Sequence, residues 1–332
     1  MKTRVIQDEP EPLPVDVPAG DENATSGLRS WIKDHRLVTF FVLSYVLAWW
    51  AWPLYGLGIW PEQTFFAVAP LVAAIIVIGI AEGRSGFRDL GSRIIRWRVA
   101  WYWYVVAVGL PLAVRFVATM VNVGVGEASA PPWPELAWSS FVIAFLIRLV
   151  NPMDGPVGEE PGWRGFALPR MQARRSPLAS AAILGVLVAG WHLPLVFADD
   201  LGAVGLVSTF SITIFYVWLF NHARGSVLLT LIAHSVQGSI TISDLGLVGA
   251  DLARQEWLEC ALWSIVALGL VLFDRTGWRA APDAAVYRSQ PPHPHSNSTA
   301  SAATGAPRAA SSVRVGVPRT GWYCCDPAMT GL

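Results

Sequence analysis

Apolar runs recur along this chain at the length that a membrane-spanning helix requires. About 20 residues of α-helix cross the ~30 Å hydrocarbon layer of a bilayer. Runs of this kind fall at residues 37–60, 64–81, 101–124, 141–168, 178–198, 203–221, 225–243 and 257–273. The run at 141–168 is the least regular, since Arg148, Pro152, Gly155 and Pro156 interrupt it. The sequence therefore predicts an all-α fold, a polytopic transmembrane helical bundle with about eight spans.

The composition agrees with a lipid environment. Of the 332 residues, 53% are hydrophobic and 14% are charged, whereas soluble domains carry about 25% charged residues. The 17 tryptophans are typical of a protein with many side chains at membrane interfaces. The formal net charge is zero, so nothing in the overall charge indicates a nucleic-acid partner. The partner predicted by composition is the lipid bilayer.

The distribution of basic residues predicts the orientation of the bundle. Cytoplasmic segments of membrane proteins are enriched in Lys and Arg. With the N-terminus inside, the cytoplasmic segments of this chain hold fourteen such residues, and the opposite side holds only Arg254. The fourteen are Arg29, Lys33, Arg36, Arg84, Arg88, Arg93, Arg96, Arg98, Arg170, Arg174, Arg175, Arg224, Arg275 and Arg279. We therefore expect both termini to be cytoplasmic and the protein to be a multi-pass protein of the cell membrane, with the arginine-rich composition indicating a bacterial plasma membrane.

Three parts of the chain differ in composition. Residues 1–36 are predicted to be a disordered polar segment, residues 37–275 a transmembrane domain, and residues 276–332 a low-complexity disordered tail rich in Pro, Ser, Ala, Gly and Thr. Within the domain, residues 84–98 carry five arginines among apolar side chains. This stretch is either an amphipathic helix on the inner leaflet or a basic loop that sets topology.

The stretch GEEPGWRG, residues 158–165, places three ionisable side chains in an apolar surrounding. Charged residues within spans are costly and mark functional sites. Glu160 and Arg164 are four residues apart, so on a helix they can form an ion pair. Glu159 points about 100° away and needs another partner. The candidates at membrane depth are His192 and His234.

The two histidines have structural and functional interpretations. His192 could bond a backbone carbonyl freed by Pro194, and His234 could bond across helices. Together with Glu159 they form a set suited to water activation, in which the carboxylate accepts a proton and an imidazole orients or polarises. The same three side chains, Glu159, His192 and His234, could hold one divalent metal such as zinc. The residues alone leave the metal-assisted and metal-free alternatives open.

The motif in this region resembles that of a known family. EEPGWR, Glu159 to Arg164, is similar to the E-E-x-x-x-R motif of the CAAX protease and bacteriocin-processing family, which includes type II CAAX prenyl endopeptidases and lysostaphin-resistance-protein-like membrane proteins. GWHLPL at 190–195 and His234, after NHARGSVLLTLIA at 221–233, stand where the second and third motifs follow. The resemblance covers about residues 80–275.

The resemblance implies a polytopic helical endopeptidase with a cytoplasm-facing cavity. By this similarity Glu159 activates water with His192, and His234 contributes to the oxyanion or metal site. Glu160 and Arg164 then support the site or position the substrate, which is a membrane-associated peptide or protein. Two positions carry a different residue from the family pattern. Val188 stands in place of the Phe of the second motif, and Gly238 stands in place of the Asn of the third motif. In addition, Pro161 disfavours helical geometry at Glu160.

Other classes of function fit parts of the sequence. A non-catalytic scaffold or bacteriocin-immunity-type protein would retain the fold and lack part of the site, and Gly238 favours this alternative. A transporter could use Glu159 and the histidines as a proton relay, but the inverted repeats typical of transporters are not evident in the sequence. The motif favours the intramembrane endopeptidase.

Overall fold

The structure is a computed structural model that describes residues 22–62, 64–126, 138–198, 201–240 and 243–279. All of these residues lie in one compact unit. Residues 1–21 and 280–332 lie outside the described residues, and so does most of the tail predicted at 276–332. Its first residues, up to Arg279, belong to a short helix.

Helices account for the regular structure throughout the described ranges, and no strand is present in them. This confirms the predicted all-α fold. The α-helices are α1 Glu22–Asp34, α2 Arg36–Trp49, α3 Ala51–Gly56, α4 Ala69–Ala81, α5 Gly83–Ile94, α6 Trp101–Val125, α7 Trp138–Arg148, α8 Gly155–Glu160, α9 Leu168–Gln172, α10 Pro177–Trp191, α11 Leu193–Phe197, α12 Ala203–His222, α13 Val227–Ser239, α14 Gly249–Phe273 and α15 Arg275–Arg279. A π-helix, Pro161–Ala167, joins α8 to α9, and Ser243–Leu245 forms a 3₁₀ turn.

Eight apolar helical segments of the described chain correspond to the eight predicted spans. Five of them are long and apolar enough to cross a membrane: Arg36–Gly56, Trp101–Val125, Pro177–Phe197, Ala203–His222 and Gly249–Phe273. Three shorter apolar helices, Ala69–Ala81, Trp138–Arg148 and Val227–Ser239, account for the others. The protein is therefore a polytopic helical membrane protein, as predicted.

One predicted span is wrong as drawn. Residues 141–168 do not form a single helix, because the chain leaves helical geometry after Arg148 and re-enters it at Gly155. Pro152 has no N–H for the helical ladder, and the Asn151 side chain accepts a hydrogen bond from the Met153 backbone at 3.1 Å instead. The break separates α7 from the motif-bearing segment.

Helix α2 buries small and aromatic side chains and exposes aliphatic ones. On α2, Phe40, Ser44 and Ala48 are fully buried, whereas Val38 and Val42 are more than half exposed. Lipid is as apolar as valine, so outward aliphatic side chains carry no penalty in a bilayer, and small residues let helices approach closely. The bundle is thus arranged for an apolar solvent.

Two predictions, for the arginine-rich stretch 84–98 and for the N-terminal segment 1–36, can be compared with the structure. Residues 83–94 form a helix, α5, with Leu90 buried and Arg93 paired to Asp89 at 3.0 Å. Of the two alternatives for residues 84–98, the helix is therefore correct as far as Ile94. The loop describes only the residues after it. The disorder predicted for residues 1–36 does not extend to Glu22–Asp34, which is helix α1.

Close packing of a glycine face fixes the motif segment against α4. A side-chain carbon added at Gly158 would lie 2.8 Å from the carbonyl carbon of Ala67, just before α4, and one added at Gly162 would lie 2.6 Å from Pro70 in α4. Such separations are shorter than van der Waals contact, so only glycine fits at either position. The G-x-x-x-G spacing of Gly158 and Gly162 brings two membrane helices into backbone contact. It holds the adjacent glutamates at a fixed place in the bundle.

Candidate active site

The two motif glutamates are the last residues of α8, immediately before the helix widens. Pro161 begins the seven-residue π-helix Pro161–Ala167, every residue of which is buried. A proline inside a helix removes one backbone donor and crowds the preceding turn, and π-helical segments accommodate such interruptions, often at functional sites. Glu160 nevertheless keeps helical angles, with φ −59° and ψ −41°. The expected departure of Glu160 from helical geometry is therefore absent.

Glu160 is the centre of a buried charge cluster. Its Oε1 accepts a hydrogen bond from Arg164 Nη1 at 3.0 Å, and both side chains are almost completely buried. The same oxygen lies 3.0 Å from His234 Nδ1. The ion pair expected from the i, i+4 spacing is thus confirmed. The contact between Glu160 and His234 was not predicted, since the sequence analysis assigned His234 to Glu159.

Glu159 projects to a different side of the helix, as its sequence position requires. Its Oε2 accepts a hydrogen bond from the Trp163 indole N–H at 3.3 Å. Its Oε1 faces Gly155: a Cβ added to Gly155 would lie 2.9 Å from Glu159 Oε1 and 3.4 Å from His234 Nε2. The free carboxylate oxygen and the second imidazole nitrogen therefore border the same small space. Glycine at 155 leaves that space open.

His234 links the two glutamates. If Nδ1 carries the proton and donates it to Glu160, the tautomer is fixed, and Nε2 is left as an acceptor on the side of Glu159. The Tyr216 ring packs against the imidazole with ring centroids 5.6 Å apart. The imidazole is therefore held in orientation by one hydrogen bond and one aromatic contact.

His192 occupies a neighbouring position without a direct bond to the glutamates. It follows the last residue of α10, and its Nδ1 lies 2.8 Å from the Val188 carbonyl oxygen. The structural interpretation is thus correct in type, although the carbonyl is that of Val188 and not one freed by Pro194. Trp191 connects the two regions, since its ring lies 5.6 Å from that of Trp163, the donor to Glu159. The structure does not bring His192 into hydrogen-bond contact with Glu159.

The proposed metal ligands do not converge. In the described parts of the chain, no three His, Cys, Asp or Glu side chains are gathered at metal-binding spacing. Glu159 and His234 share a space, but His192 Nδ1 bonds a backbone carbonyl and His234 Nδ1 bonds Glu160. A catalytic zinc site requires three protein ligands. The side chains as arranged do not fit a metal ion.

Several side chains at the site were missed by the sequence analysis. Thr213 accepts a hydrogen bond from Arg164 Nη2 at 3.3 Å, and the Tyr216 ring lies 4.9 Å from the Arg164 guanidinium carbon. The Tyr216 hydroxyl is buried without a hydrogen-bond partner among the described residues. A Thr and a Tyr spaced three residues apart within an apolar span, and so on one helix face, were the available signal.

A second buried ion pair lies between α6 and α14. Arg115 Nη1 donates to Glu259 Oε1 at 2.7 Å, and Gln255 donates to the same oxygen at 3.0 Å. Arg115 and Glu259 lie within the predicted spans 101–124 and 257–273. This pair shares no residue with the motif cluster, and Arg115 Nη2 also donates to the Gln237 carbonyl oxygen of α13 at 3.4 Å, so its contacts join three helices.

The fold and the site together define a class, the polytopic helical membrane protein with a buried carboxylate and imidazole cluster. Comparison with known proteins narrows it. Residues 137–240 match the family described as type II CAAX prenyl endopeptidase Rce1-like. CAAX prenyl protease 2 of Methanococcus maripaludis is 22% identical over 222 residues, which cover 63% of this chain and 79% of that protein.

Both matches support the CAAX protease and bacteriocin-processing family for the matched part of the chain. The matched residues contain the cluster of Glu159, Glu160 and Arg164 together with both histidines and Gly238. The resemblance found in the motif is therefore confirmed. Both matches carry the names of peptidases and support a membrane protease.

Proposed function

We propose that this protein is an intramembrane endopeptidase that hydrolyses a peptide bond of a membrane-associated protein or peptide. One observation carries the proposal: Glu159 Oε1 and His234 Nε2 face the same space beside Gly155. A carboxylate with one free oxygen next to an imidazole nitrogen is suited to hold and deprotonate a water molecule. The lipid bilayer is its environment, and we assign it to a bacterial plasma membrane.

Glu159 is the general base in this proposal. A water between its Oε1 and His234 Nε2 donates one hydrogen bond to each, which orients the water oxygen lone pair toward the substrate carbonyl carbon. As the C–O bond forms, Glu159 takes the proton, and it returns the proton to the leaving amine when the C–N bond breaks. Trp163, which donates to the other carboxylate oxygen at 3.3 Å, holds the base in position.

Glu160 and Arg164 serve as support. The carboxylate fixes the His234 ring through the 3.0 Å contact at Nδ1, and Arg164 balances its charge in the bundle. Such an outer contact to the second ring nitrogen determines which nitrogen is available for chemistry. His192 follows Trp191, whose ring packs against that of Trp163 at 5.6 Å, and in this proposal it acts on bound water or substrate.

The proposal contains no step through a metal ion, because the candidate ligands do not converge. A scaffold or immunity protein of the same fold remains the competing function, and it has no need of a free carboxylate beside an imidazole. A measurement of peptide cleavage by the purified protein distinguishes the endopeptidase from the scaffold or immunity protein.

The test uses the full chain reconstituted in liposomes with fluorogenic peptides that carry a transmembrane anchor. Glu159→Gln keeps the shape of the side chain and removes the proton acceptor, so cleavage falls by about 10²–10⁴-fold. Glu62→Gln, an exposed glutamate outside the helices, is the matched control and retains the native rate. Equal cleavage by native protein and Glu159→Gln would refute the role of Glu159, and no cleavage by native protein of any peptide would favour the scaffold.

A further inference from the structure

Gly238 lies directly against an arginine of another helix. It follows His234 by one helical turn on α13, so the two positions share a helix face. A Cβ added to Gly238 would lie 2.7 Å from Arg148 Nε and closer still to the guanidinium carbon and Nη2. The absence of a side chain at 238 is therefore what allows the guanidinium to rest on this face of α13.

Arg148 is held beside the reaction space by its own contacts. It is the last residue of α7, and its Nη1 pairs with Asp154 Oδ1 at 3.0 Å. Asp154 immediately precedes Gly155, the residue whose open side faces Glu159 and His234. The Arg148 Nε is buried and has no hydrogen-bond partner among the described residues. A cation with an unused donor thus lies one turn from His234.

The proposed reaction needs a donor at this place. When water attacks, negative charge develops on the carbonyl oxygen, and hydrogen-bond donors positioned for it typically contribute about 10²–10³ in rate. His234 does not supply that donor while its Nδ1 proton is used by Glu160, because its Nε2 is then an acceptor. Gly238 offers no side chain. The guanidinium group has five N–H donors and keeps its charge under all conditions.

We propose that Arg148, whose guanidinium lies in the space that Gly238 leaves free, is a catalytic residue. It binds the substrate carbonyl oxygen and stabilises the negative charge that develops there. This inference rests on the proposed endopeptidase function. It also gives Gly238 a role: the glycine and the arginine form one unit, in which the small residue admits the donor.

The test measures kcat and KM of reconstituted full-length variants on the anchored fluorogenic peptides. Arg148→Met lowers kcat by about 10²–10³-fold with little change in KM, because the lost contact is made in the transition state. Arg148→Lys retains part of the rate. Gly238→Asn introduced into Arg148→Met recovers at least tenfold, since an amide donor then replaces the guanidinium. Gly238→Asn alone displaces the arginine and lowers the rate.

Gly238→Ala keeps the charge and moves only the flexible end of Arg148, so it tests the inference even if Arg148→Met fails to fold. Its rate falls while its melting temperature is unchanged or higher. Arg254 is the matched control, since it also pairs with an aspartate, Asp251, and lies against a glycine, Gly126. Arg254→Met and Gly126→Ala keep kcat within a few-fold of native.

The outcomes separate the two proposals. If Arg148→Met and Gly238→Ala both cleave at the native rate while Glu159→Gln is inactive, Arg148 is structural and the endopeptidase stands. If Gly238→Asn fails to restore any rate to Arg148→Met, the assignment of Arg148 as the donor is overturned. If Glu159→Gln cleaves as well as native protein, the proposed mechanism fails, and the inference about Arg148 fails with it.

Discussion

Replacing Glu160 by Gln should destabilise the protein far more than the same change at Glu159. The two adjacent carboxylates differ in the partner that loses a contact when each is replaced. Glu160 is fully buried and neutralises Arg164, whose side chain is 2% exposed, through a 3.0 Å contact. Glu160→Gln therefore leaves the buried guanidinium without its counter-charge, because the amide oxygen accepts a hydrogen bond but is neutral, as are the Thr213 hydroxyl and the face of Tyr216.

The expected magnitude follows from these contacts. Removing one member of a buried ion pair costs roughly 3–5 kcal/mol, because the other charge stays buried without compensation. Among the described residues Glu159 accepts one hydrogen bond, the 3.3 Å contact from Trp163, and the amide oxygen of Gln still accepts it, so the cost is about 1 kcal/mol or less. The two variants should thus differ by about 2–4 kcal/mol in the free energy of unfolding.

The measurement is reversible unfolding by SDS in mixed micelles, followed by tryptophan fluorescence. A double variant, Glu160→Gln with Arg164→Met, is the control, since it removes the stranded charge and should be more stable than Glu160→Gln alone. Equal stability of Glu159→Gln and Glu160→Gln would refute the reasoning. A double variant that is less stable than Glu160→Gln alone would refute it as well.

Three further predictions concern the rest of the molecule. Reporter fusions at Asp199 and Pro282 should lie on opposite sides of the membrane, and a common side would contradict the orientation read from the arginines. Deleting residues 285–332 should leave insertion and cleavage unchanged, because that segment has too little apolar surface to pack, and loss of folded protein would show the opposite. Arg115→Met should lower the free energy of unfolding by roughly 3–5 kcal/mol, because it leaves the buried Glu259 without its partner. The double variant Arg115→Met/Glu259→Met should recover stability, and an unchanged single variant would show that the pair is dispensable.

Local spacing was sufficient to predict contacts within one helix. The Glu160–Arg164 pair is four residues apart, so the geometry of a single helical turn decides it, and the structure has it at 3.0 Å. The eight apolar runs likewise depend only on length and composition. The break after Arg148 was foreshadowed by Pro152 and Gly155, yet its exact limits depend on how α7 and α8 pack separately against α13.

Contacts between helices could not be predicted in the same way. His234 contacts Glu160 and only borders the space of Glu159, because the rotation of α13 about its axis decides which carboxylate its ring meets. His192 was grouped with Glu159 by membrane depth and by the family resemblance, whereas its Nδ1 lies 2.8 Å from the Val188 carbonyl oxygen of the preceding helix. The meeting of Arg148 and Gly238 joins residues ninety positions apart, and nothing local marks it.

The π-helix of Pro161–Ala167 makes this region tolerant of a change in the number of residues. A π turn holds about one residue more than an α turn, and each residue of an α-helix turns the chain by about 100°. Deletion of Gly165 or Phe166 would let the segment return to α geometry with the Glu160–Arg164 pair intact. Because the π turn absorbs the extra residue, the residues beyond it would keep their direction, and Arg170 would keep Glu82, which it contacts through two nitrogens. Single-residue deletions here should therefore be tolerated better than deletions in the neighbouring α-helices, and an alignment that places a gap in this segment would be compatible with the same orientation of the residues that follow.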